Sequence, residues 1–307
     1  MLKRIVLLAI CLCAIRPCIS SAQALEVAAV TVALEGPTVD ADGTVYFTDL
    51  NGDRILKMTE GGTVSTFREP ANRPNGMVFD AQFRLIACER GDTTRKTPSR
   101  LTRTDMKTGR IDVLADNYQG KPFVELNDVT VDGAGRVYFT DNPGKAVYRF
   151  DPDGTLTQLL TAPAIDNANG LTIAPDDKTF YLIEANTGAN GTRRITAFAL
   201  SAGGVPSNPR VFHNFYPGRS GDGMTVDSDG NLWVAAGLNN LRNKTETLDT
   251  RAGIHQFAPD GRLLQHIPVP IDLLTNVAFG GPDLKTLYIT AGGTLFKVQT
   301  RTAGTRR

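Results

Sequence analysis

One short pattern of apolar and polar residues recurs along the chain. It begins with an apolar residue, continues through a turn rich in Asp and Gly, and ends in a run of β-branched and aromatic residues. The copies at residues 39–49 (VDADGTVYFTD) and 131–141 (VDGAGRVYFTD) are nearly identical. Related copies begin at residues 79, 173, 226 and 279. Each copy predicts two antiparallel strands joined by a tight turn.

The spacing of the copies predicts the architecture. Successive copies begin 40, 52, 42, 53 and 53 residues apart. Most are followed by two further strand-like segments, such as residues 54–58 and 63–67. Units of four strands at this spacing indicate an all-β fold, a six-bladed β-propeller with four-stranded blades. A β-sandwich is the alternative, but six similar units fit it poorly.

The two ends of the chain complete the predicted domain. After residues 296–299 the chain has only a short basic tail, residues 301–307, so the last blade lacks an outer strand. Residues 27–34 can supply that strand and close the ring. The predicted propeller therefore spans residues 25–300.

Residues 1–24 have the features of a secretory signal peptide. Lys3 and Arg4 precede an apolar run at residues 5–15, and Ala22 and Ala24 frame a cleavage site of small residues. The run is about eleven residues long, whereas a membrane-spanning helix needs roughly 20. We therefore expect a cleaved leader and a secreted or periplasmic protein, with no membrane span in the mature form. An uncleaved anchor is the alternative.

Charge and composition narrow the range of partners. The chain has 33 Lys and Arg against 32 Asp and Glu, which gives no basic surplus for nucleic acid binding. We expect a small-molecule substrate, no nucleic acid and no obligate protein partner. A basic cluster in the second unit, which includes Arg90 and Arg103, is either a solvated hairpin or a surface that steers anionic substrates. The second interpretation makes Arg103 a candidate substrate-binding residue.

The fifth unit carries an insertion at residues 238–249 that is rich in Asn, Lys and Thr. It follows a predicted strand. It is either a lid over the mouth of the channel or simply a long loop.

A column of polar residues stands four positions before the start of each copy. In a propeller this position precedes the innermost strand and lies at the mouth of the central channel. Every member carries an oxygen in its side chain: Glu35, Asn75, Asn127, Asn169, Asp222 and Thr275, with Asn276 following the last. Asn-Gly and Asp-Gly pairs also form turns, so turn chemistry is the alternative explanation. The shared position in all of the units favours a metal site.

The chemistry of the column favours a particular cation. Its donors are two carboxylates, Glu35 and Asp222, and several amide oxygens, and it contains no Cys or His. Hard oxygen ligands of this kind suit Ca²⁺, which takes about six to eight of them. Mg²⁺ or another divalent cation is the alternative, although Mg²⁺ demands stricter octahedral geometry.

The same residues carry a resemblance to a known family. Over residues 30–299 the chain resembles the gluconolactonase/regucalcin-like family, which includes senescence marker protein and the luciferin-regenerating enzyme. The resemblance rests on five short motifs: EGP at 35–37, ND at 127–128, NGL at 169–171, DGM at 222–224 and TNVAFGG at 275–281. It implies a six-bladed propeller that holds a divalent ion, usually Ca²⁺, in its central channel.

The resemblance also implies roles for individual residues. Asp222 would act as general base, and Asn75 and Asn276 would line the pocket. The residues that it implies as ligands of the ion are Glu35, Asn127, Asn169 and Asp222.

The implied activity is calcium-dependent ester hydrolysis by a gluconolactonase-like lactonase. One departure concerns Glu125, a candidate substrate-binding residue, at a position where sugar-acid lactonases of the family often carry Arg or Ser. A carboxylate there repels an anionic substrate unless it pairs with a cation. The alternatives are an organophosphate or other ester hydrolase of the same fold, and a non-enzymatic, ligand-binding propeller with a structural Ca²⁺.

Overall fold

The computed structural model describes residues 23–31 and 34–306, and these residues form 26 β-strands and no helix. The signal peptide prediction falls almost wholly on residues 1–22, which lie outside the described residues. Within the described ranges, no helix has the length and hydropathy that a membrane span requires.

In chain order the strands divide into three groups, which do not correspond to the blades. The first group is β1 (Glu26–Val30), β2 (Leu34–Val39), β3 (Val45–Asp49), β4 (Arg54–Met58), β5 (Val64–Arg68), β6 (Pro74–Phe79), β7 (Leu85–Glu89), β8 (Arg100–Thr104) and β9 (Ile111–Ala115). The second is β10 (Asn117–Tyr118), β11 (Lys121–Pro122), β12 (Leu126–Val131), β13 (Val137–Asp141), β14 (Ala146–Phe150), β15 (Leu156–Thr161), β16 (Ala168–Ile173) and β17 (Thr179–Ala185). The third is β18 (Arg193–Leu200), β19 (Pro206–Asn214), β20 (Gly221–Val226), β21 (Leu232–Ala236), β22 (Gly253–Phe257), β23 (Leu263–Pro268), β24 (Leu274–Gly280), β25 (Thr286–Ala291) and β26 (Thr294–Gln299).

The strands pair into six antiparallel sheets of four strands and one small hairpin, β10-β11. The first five sheets begin with β2, β6, β12, β16 and β20 and continue outwards in chain order. These inner strands, together with β24, contact one another in a closed ring. The prediction of an all-β, six-bladed propeller with four-stranded blades is confirmed.

The sixth blade joins the two ends of the chain. Its order is β24-β25-β26-β1, so the N-terminal strand is its outer strand, as predicted. In the β1-β26 pair Glu26 lies opposite Lys297 and Val30 opposite Thr294. Closing the ring in this way covers the edge that β26 would otherwise expose.

The recurring Asp and Gly residues form the turns between the first and second strands of the blades. The Asp40 carboxylate accepts hydrogen bonds from the backbone N–H groups of Asp42 (3.0 Å) and Thr44 (2.9 Å). Gly43 has φ of 81°, a left-handed conformation that glycine adopts without strain. The turns lie at the end of the propeller where the inner strands finish, which we call the lower end.

The apolar runs pack between neighbouring blades. Strands β3, β7, β13 and β21 are buried along their whole length. Each is the second strand of its blade, and the neighbouring blades cover both of its faces. Outer strands such as β5 and β9 are exposed at alternate or successive positions. The tail also packs on the lower end: the Ser228 N–H donates to Ala303 O and the Gly304 N–H to Leu284 O, both at 2.8 Å. The propeller thus presents a rigid set of inner strands to its axis.

Candidate active site

The column of polar residues lies at the opposite, upper end of the inner strands. Each inner strand has a register shift against its neighbour at this level, for example between Glu35 and Thr38 and between Gly221 and Met224. Such bulges redirect side chains within a strand. The Asn-Gly and Asp-Gly pairs therefore belong to bulged strands rather than to turns, and the turn explanation is wrong.

The glycines of these pairs allow adjacent inner strands to approach closely. A Cβ atom on Gly36 would collide with the carbonyl oxygen of Asn75 in the next blade. A Cβ on Gly170 would collide with the carbonyl oxygen of Asp222, and one on Gly223 with the Asn276 side chain. The glycines thus bring successive members of the column together.

Other contacts complete the ring of neighbours. A Cβ on Gly76 would collide with Asp128, and the Asp128 carboxylate accepts a hydrogen bond from the backbone N–H of Leu171. The Thr275 hydroxyl donates to Leu34 O at 2.8 Å, which joins the sixth blade to the first. The six column positions therefore surround one axis, and Asn169 also hydrogen-bonds to Asp222.

Asp128 and Asn276 close the channel beneath this ring. Asn276 Nδ2 donates to Asp128 Oδ2 at 3.2 Å. Because these residues belong to the third and sixth blades, which face each other, the bond crosses the axis. Below it a cavity of about 140 Å³ extends along the inner strands as far as Thr305 and Arg306 in the tail. Asn276, predicted to line the pocket, therefore forms part of its floor.

Three carboxylates share this buried region. Burial raises the pKa of Glu35 well above its usual range, and the charges of Asp222 and Asp128 raise it further. Burial also raises the pKa of Asp128 to about 7, against the hydrogen bonds from Val129 and Asn276. Burial raises the pKa of Asp222, while the charge of Arg219 and the hydrogen bond from Asn169 oppose the rise. Each shift reports that negative charge is unfavourable here unless a cation compensates it.

The arrangement fits a hard cation. The residues predicted as ligands offer only oxygen: two carboxylates, on Glu35 and Asp222, and the amides of Asn127 and Asn169. In the part of the chain that the structure describes, no three His, Cys, Asp or Glu side chains form a cluster that could hold a metal ion. An ion in the ring would therefore depend on the amide oxygens as well as the two acids, which suits Ca²⁺.

Arg219 is a member of the site that sequence reasoning missed. Its Nη2 donates to Asp222 Oδ2 at 2.6 Å and to Leu274 O at 3.0 Å, so it ties the fifth blade to the sixth. Asp128 was also missed, although it stands beside Asn127. Asp128 belongs to the ND motif at 127–128, but that motif gave it no role, and the sequence does not reveal a contact made across the axis.

The other predicted substrate residues lie in different surroundings. Glu125 forms an ion pair with Arg90, which reaches it from the loop between β7 and β8 and whose charge also lowers the pKa of Glu35. The cation that Glu125 needed is thus present. Asn75 is buried in β6. Arg103 lies opposite Ile86 and Asp112 in β8, the third strand of its blade, which places it away from the axis.

A cavity of about 150 Å³ opens beside Asp222 at the upper end. Asn169 and Asp222 form one wall, and Arg242 and Glu246 of the insertion form another. The insertion lies across the neighbouring blades rather than projecting from the surface. Thr245 Oγ1 donates to Thr187 O at 2.5 Å in the fourth blade, and Asn240 Nδ2 donates to Asp272 Oδ2 at 3.0 Å before the sixth.

Comparison with known proteins supports the assignment of the fold. A gluconolactonase from Zymomonas mobilis is 30% identical in sequence and is matched over 88% of this chain and 79% of its own length. The structure of a gluconolactonase from Xanthomonas campestris superposes with a TM-score of 0.75 at 31% identity, over 90% of this chain and 89% of that one. Regucalcin from Agrobacterium tumefaciens, described as a calcium-binding protein, shares the fold with a TM-score of 0.73 at 20% identity, over 93% and 96% of the two chains.

The sequence pattern of one family spans nearly all of the propeller. The SMP-30/Gluconolactonase/LRE-like region matches residues 34–293, which begins with the inner strand of the first blade and ends at the hairpin between β25 and β26. The protein therefore belongs to the SMP-30/gluconolactonase/LRE-like family.

Proposed function

We propose that this protein is a calcium-dependent hydrolase that opens the ring of a small lactone. The observation that carries the proposal is the position of Asp222, where the ring of oxygen-bearing residues meets the cavity of about 150 Å³. The gluconolactonases among its relatives support a lactone-hydrolysing enzyme. Because the Asp222 carboxylate borders both features, a lactone bound over the ring would place its ester beside that carboxylate.

Glu35, Asn127, Asn169 and Asp222 would hold the ion. The raised pKa values of Glu35 and Asp222 support this, because a divalent cation would neutralise the negative charge that burial makes unfavourable. When bound, Ca²⁺ would polarise the lactone carbonyl and stabilise the negative charge that forms on its oxygen during attack.

Asp222 would accept the proton of the attacking water or orient that water. Arg219 fixes the carboxylate through Oδ2, and its charge opposes the rise in the pKa of Asp222 that burial causes, which favours the form that accepts a proton. The water oxygen bonds to the carbonyl carbon, the ring C–O bond breaks, and the proton passes to the leaving oxygen. The product is a hydroxy acid.

The test is a panel of aldonolactones, acyl lactones and a phosphotriester, assayed with Ca²⁺ and with chelator. Lactone hydrolysis that requires Ca²⁺ is expected. Asp222→Asn should lower kcat by roughly 10²–10⁴-fold. Asp229→Asn, an exposed residue in the turn after β20, is the matched control. Full activity of Asp222→Asn, or no lactone hydrolysis by the wild type, contradicts the proposal.

We also propose that the protein is exported, on the basis of the leader-like residues 1–24 alone. Expression of the full chain followed by N-terminal sequencing of the protein recovered outside the cytoplasm should show cleavage after Ala24. A chain that stays in the cytoplasm with Met1 intact contradicts this.

A further inference from the structure

Three guanidinium groups line the cavity beside Asp222, and they differ in how fully they are paired. The Arg193 side chain is fully buried and donates to four carbonyl groups, those of Asn186, Pro217, Thr187 and Gly188. Its hydrogen-bonding capacity is therefore used within the protein. Arg193 fixes the walls of the cavity and adds positive charge to it.

Arg219 retains an unused donor. Nη2 serves Asp222 and Leu274, as described above, but Nη1 is buried and has no hydrogen-bond partner within residues 23–31 and 34–306. The side chain is only 8% exposed. An unpaired guanidinium N–H in such a place is unfavourable, and nearby negative charge would offset part of the penalty.

Arg242 approaches the same cavity from the insertion. It makes one ion pair, at 3.3 Å, with Glu246, and that carboxylate also accepts a shorter bond of 2.7 Å from Asn243 Nδ2. Its positive charge opposes the rise in the pKa of Asp222 that burial causes. Because the insertion is fastened to Thr187 and Asp272, Arg242 is held in place without a ligand.

The balance of charge in the cavity is positive. Three Arg side chains face two carboxylates, Asp222 and Glu246. On the other side of the axis Arg90 is paired with Glu125, its buried Nε has no hydrogen-bond partner within residues 23–31 and 34–306, and Arg73 lies near it. The volume of about 150 Å³ is several times the share of one water molecule, enough for a group of a few heavy atoms.

We propose that this cavity is a subsite for an anionic substituent of the lactone, a carboxylate, sulfonate or phosphate that lies away from the ester. The Arg242 guanidinium binds it, and the positive charge of Arg219 adds to the attraction. The inference rests on the proposed lactonase function and specifies its substrate class. Charge-assisted hydrogen bonds of this kind discriminate strongly between anionic and neutral ligands.

The experiment compares three lactones: neutral glucono-1,5-lactone, its 6-phosphate, and a glucarolactone that carries a carboxylate. The readout is the ratio of kcat/KM for each anionic lactone to that for the neutral one. Arg242→Met should lower this ratio roughly ten-fold, mainly through KM, and Arg242→Lys should restore part of it. The phosphate and carboxylate arms show which anion the cavity accepts.

Two arginines serve as matched controls. Arg136 forms an ion pair with Asp132 at the lower end, and Arg136→Met should leave the ratio as in the wild type. Arg90→Met removes a charge of the same kind from the opposite rim of the site. A ratio that falls in Arg90→Met and not in Arg242→Met overturns the proposal, as does a ratio that is unchanged in Arg242→Met.

A binding measurement separates this inference from the proposed function. If none of the lactones is hydrolysed, calorimetry on the Ca²⁺-loaded full-length protein compares 6-phosphogluconate with gluconate. Tighter binding of 6-phosphogluconate that is lost in Arg242→Met supports the subsite even without lactonase activity. Equal affinity for both acids overturns it.

Discussion

The two ends of the propeller use carboxylates in opposite ways. At the lower end, Asp132 accepts hydrogen bonds from the backbone of Ala134 and Arg136 at 3.0 Å, from Arg136 Nε at 2.6 Å and from the Tyr138 hydroxyl at 2.9 Å. At the upper end, the Glu35 carboxylate accepts a hydrogen bond from the backbone N–H of its neighbour Gly36, at 3.3 Å. The Asp132 carboxylate is thus fully hydrogen-bonded, whereas the negative charge of the Glu35 carboxylate is poorly compensated.

The difference separates carboxylates that stabilise the fold from carboxylates that serve a site. Asp132 finds these partners within its own hairpin, so a single repeat can supply them. The upper-end acids belong to different blades and meet only when the ring closes, where they raise one another's pKa. A ring of this kind costs stability unless a cation completes it.

The largest expected effect is a pH dependence of the metal-free protein. The folded-state pKa of Asp128 is about 7, above the ordinary value of 3.8, so the folded protein holds a proton that the unfolded chain loses between these pH values. The free energy of unfolding should therefore fall as pH rises from about 4 to 7, by an amount on the order of 4 kcal/mol from this group.

Denaturant unfolding in chelator measures this, and Asp128→Asn isolates the contribution of the group. The difference in stability between the variant and the wild type should shift in favour of the variant as pH rises, because the variant has no charge to bury. A difference that stays constant from pH 4 to pH 7 contradicts the account of Asp128.

The second effect concerns a lower-end carboxylate. Asp132→Ala removes the acceptor for Arg136 and Tyr138, whose ring is buried, and should lower the free energy of unfolding by about 2–3 kcal/mol. Calcium affinity, measured by calorimetry, should stay as in the wild type because the residue lies at the opposite end. A large loss of calcium affinity in a well-folded variant would show that the two ends are not independent.

The contrast between the ends also explains what the sequence could and could not reveal. The lower-end turns were predictable because the Asp and Gly residues act locally and recur in each unit. The column was predictable for the same reason, since Glu35 and Asp222 occupy equivalent positions in their repeats. Arg219 and the Asp128–Asn276 bond were not predictable, because they depend on contacts between blades that differ from unit to unit.

The cavity beside Asp222 was also not predictable from the sequence. Arg242 lies in an insertion that only the fifth unit has, so no comparison between repeats could place it beside Asp222. The basic cluster of the second unit drew attention instead to Arg103, which lies in the third strand of its blade. The repeated sequence pattern predicted the ring of oxygen-bearing residues. The charged side chains that meet at this ring depend on the contacts that form when the blades close into a propeller.

The smallest expected effect tests the comparison most directly, because its sign differs between the two ends. Glu35→Gln keeps the shape of the side chain but removes a charge that burial and two neighbouring acids disfavour. At pH 8 in chelator the variant should be more stable than the wild type by roughly 1 kcal/mol. In Ca²⁺ the order should reverse, because the variant lacks one of the two anionic ligands that we propose for the ion, and the Kd for Ca²⁺ should rise by roughly ten-fold or more. Thermal unfolding with and without Ca²⁺ measures both quantities, with Asp132→Asn as the control that should be destabilised in both conditions. If Glu35→Gln is instead destabilised in chelator as much as Asp132→Asn, then Glu35 stabilises the fold in the same way as Asp132. The distinction between carboxylates of the upper end and those of the lower end would then be wrong.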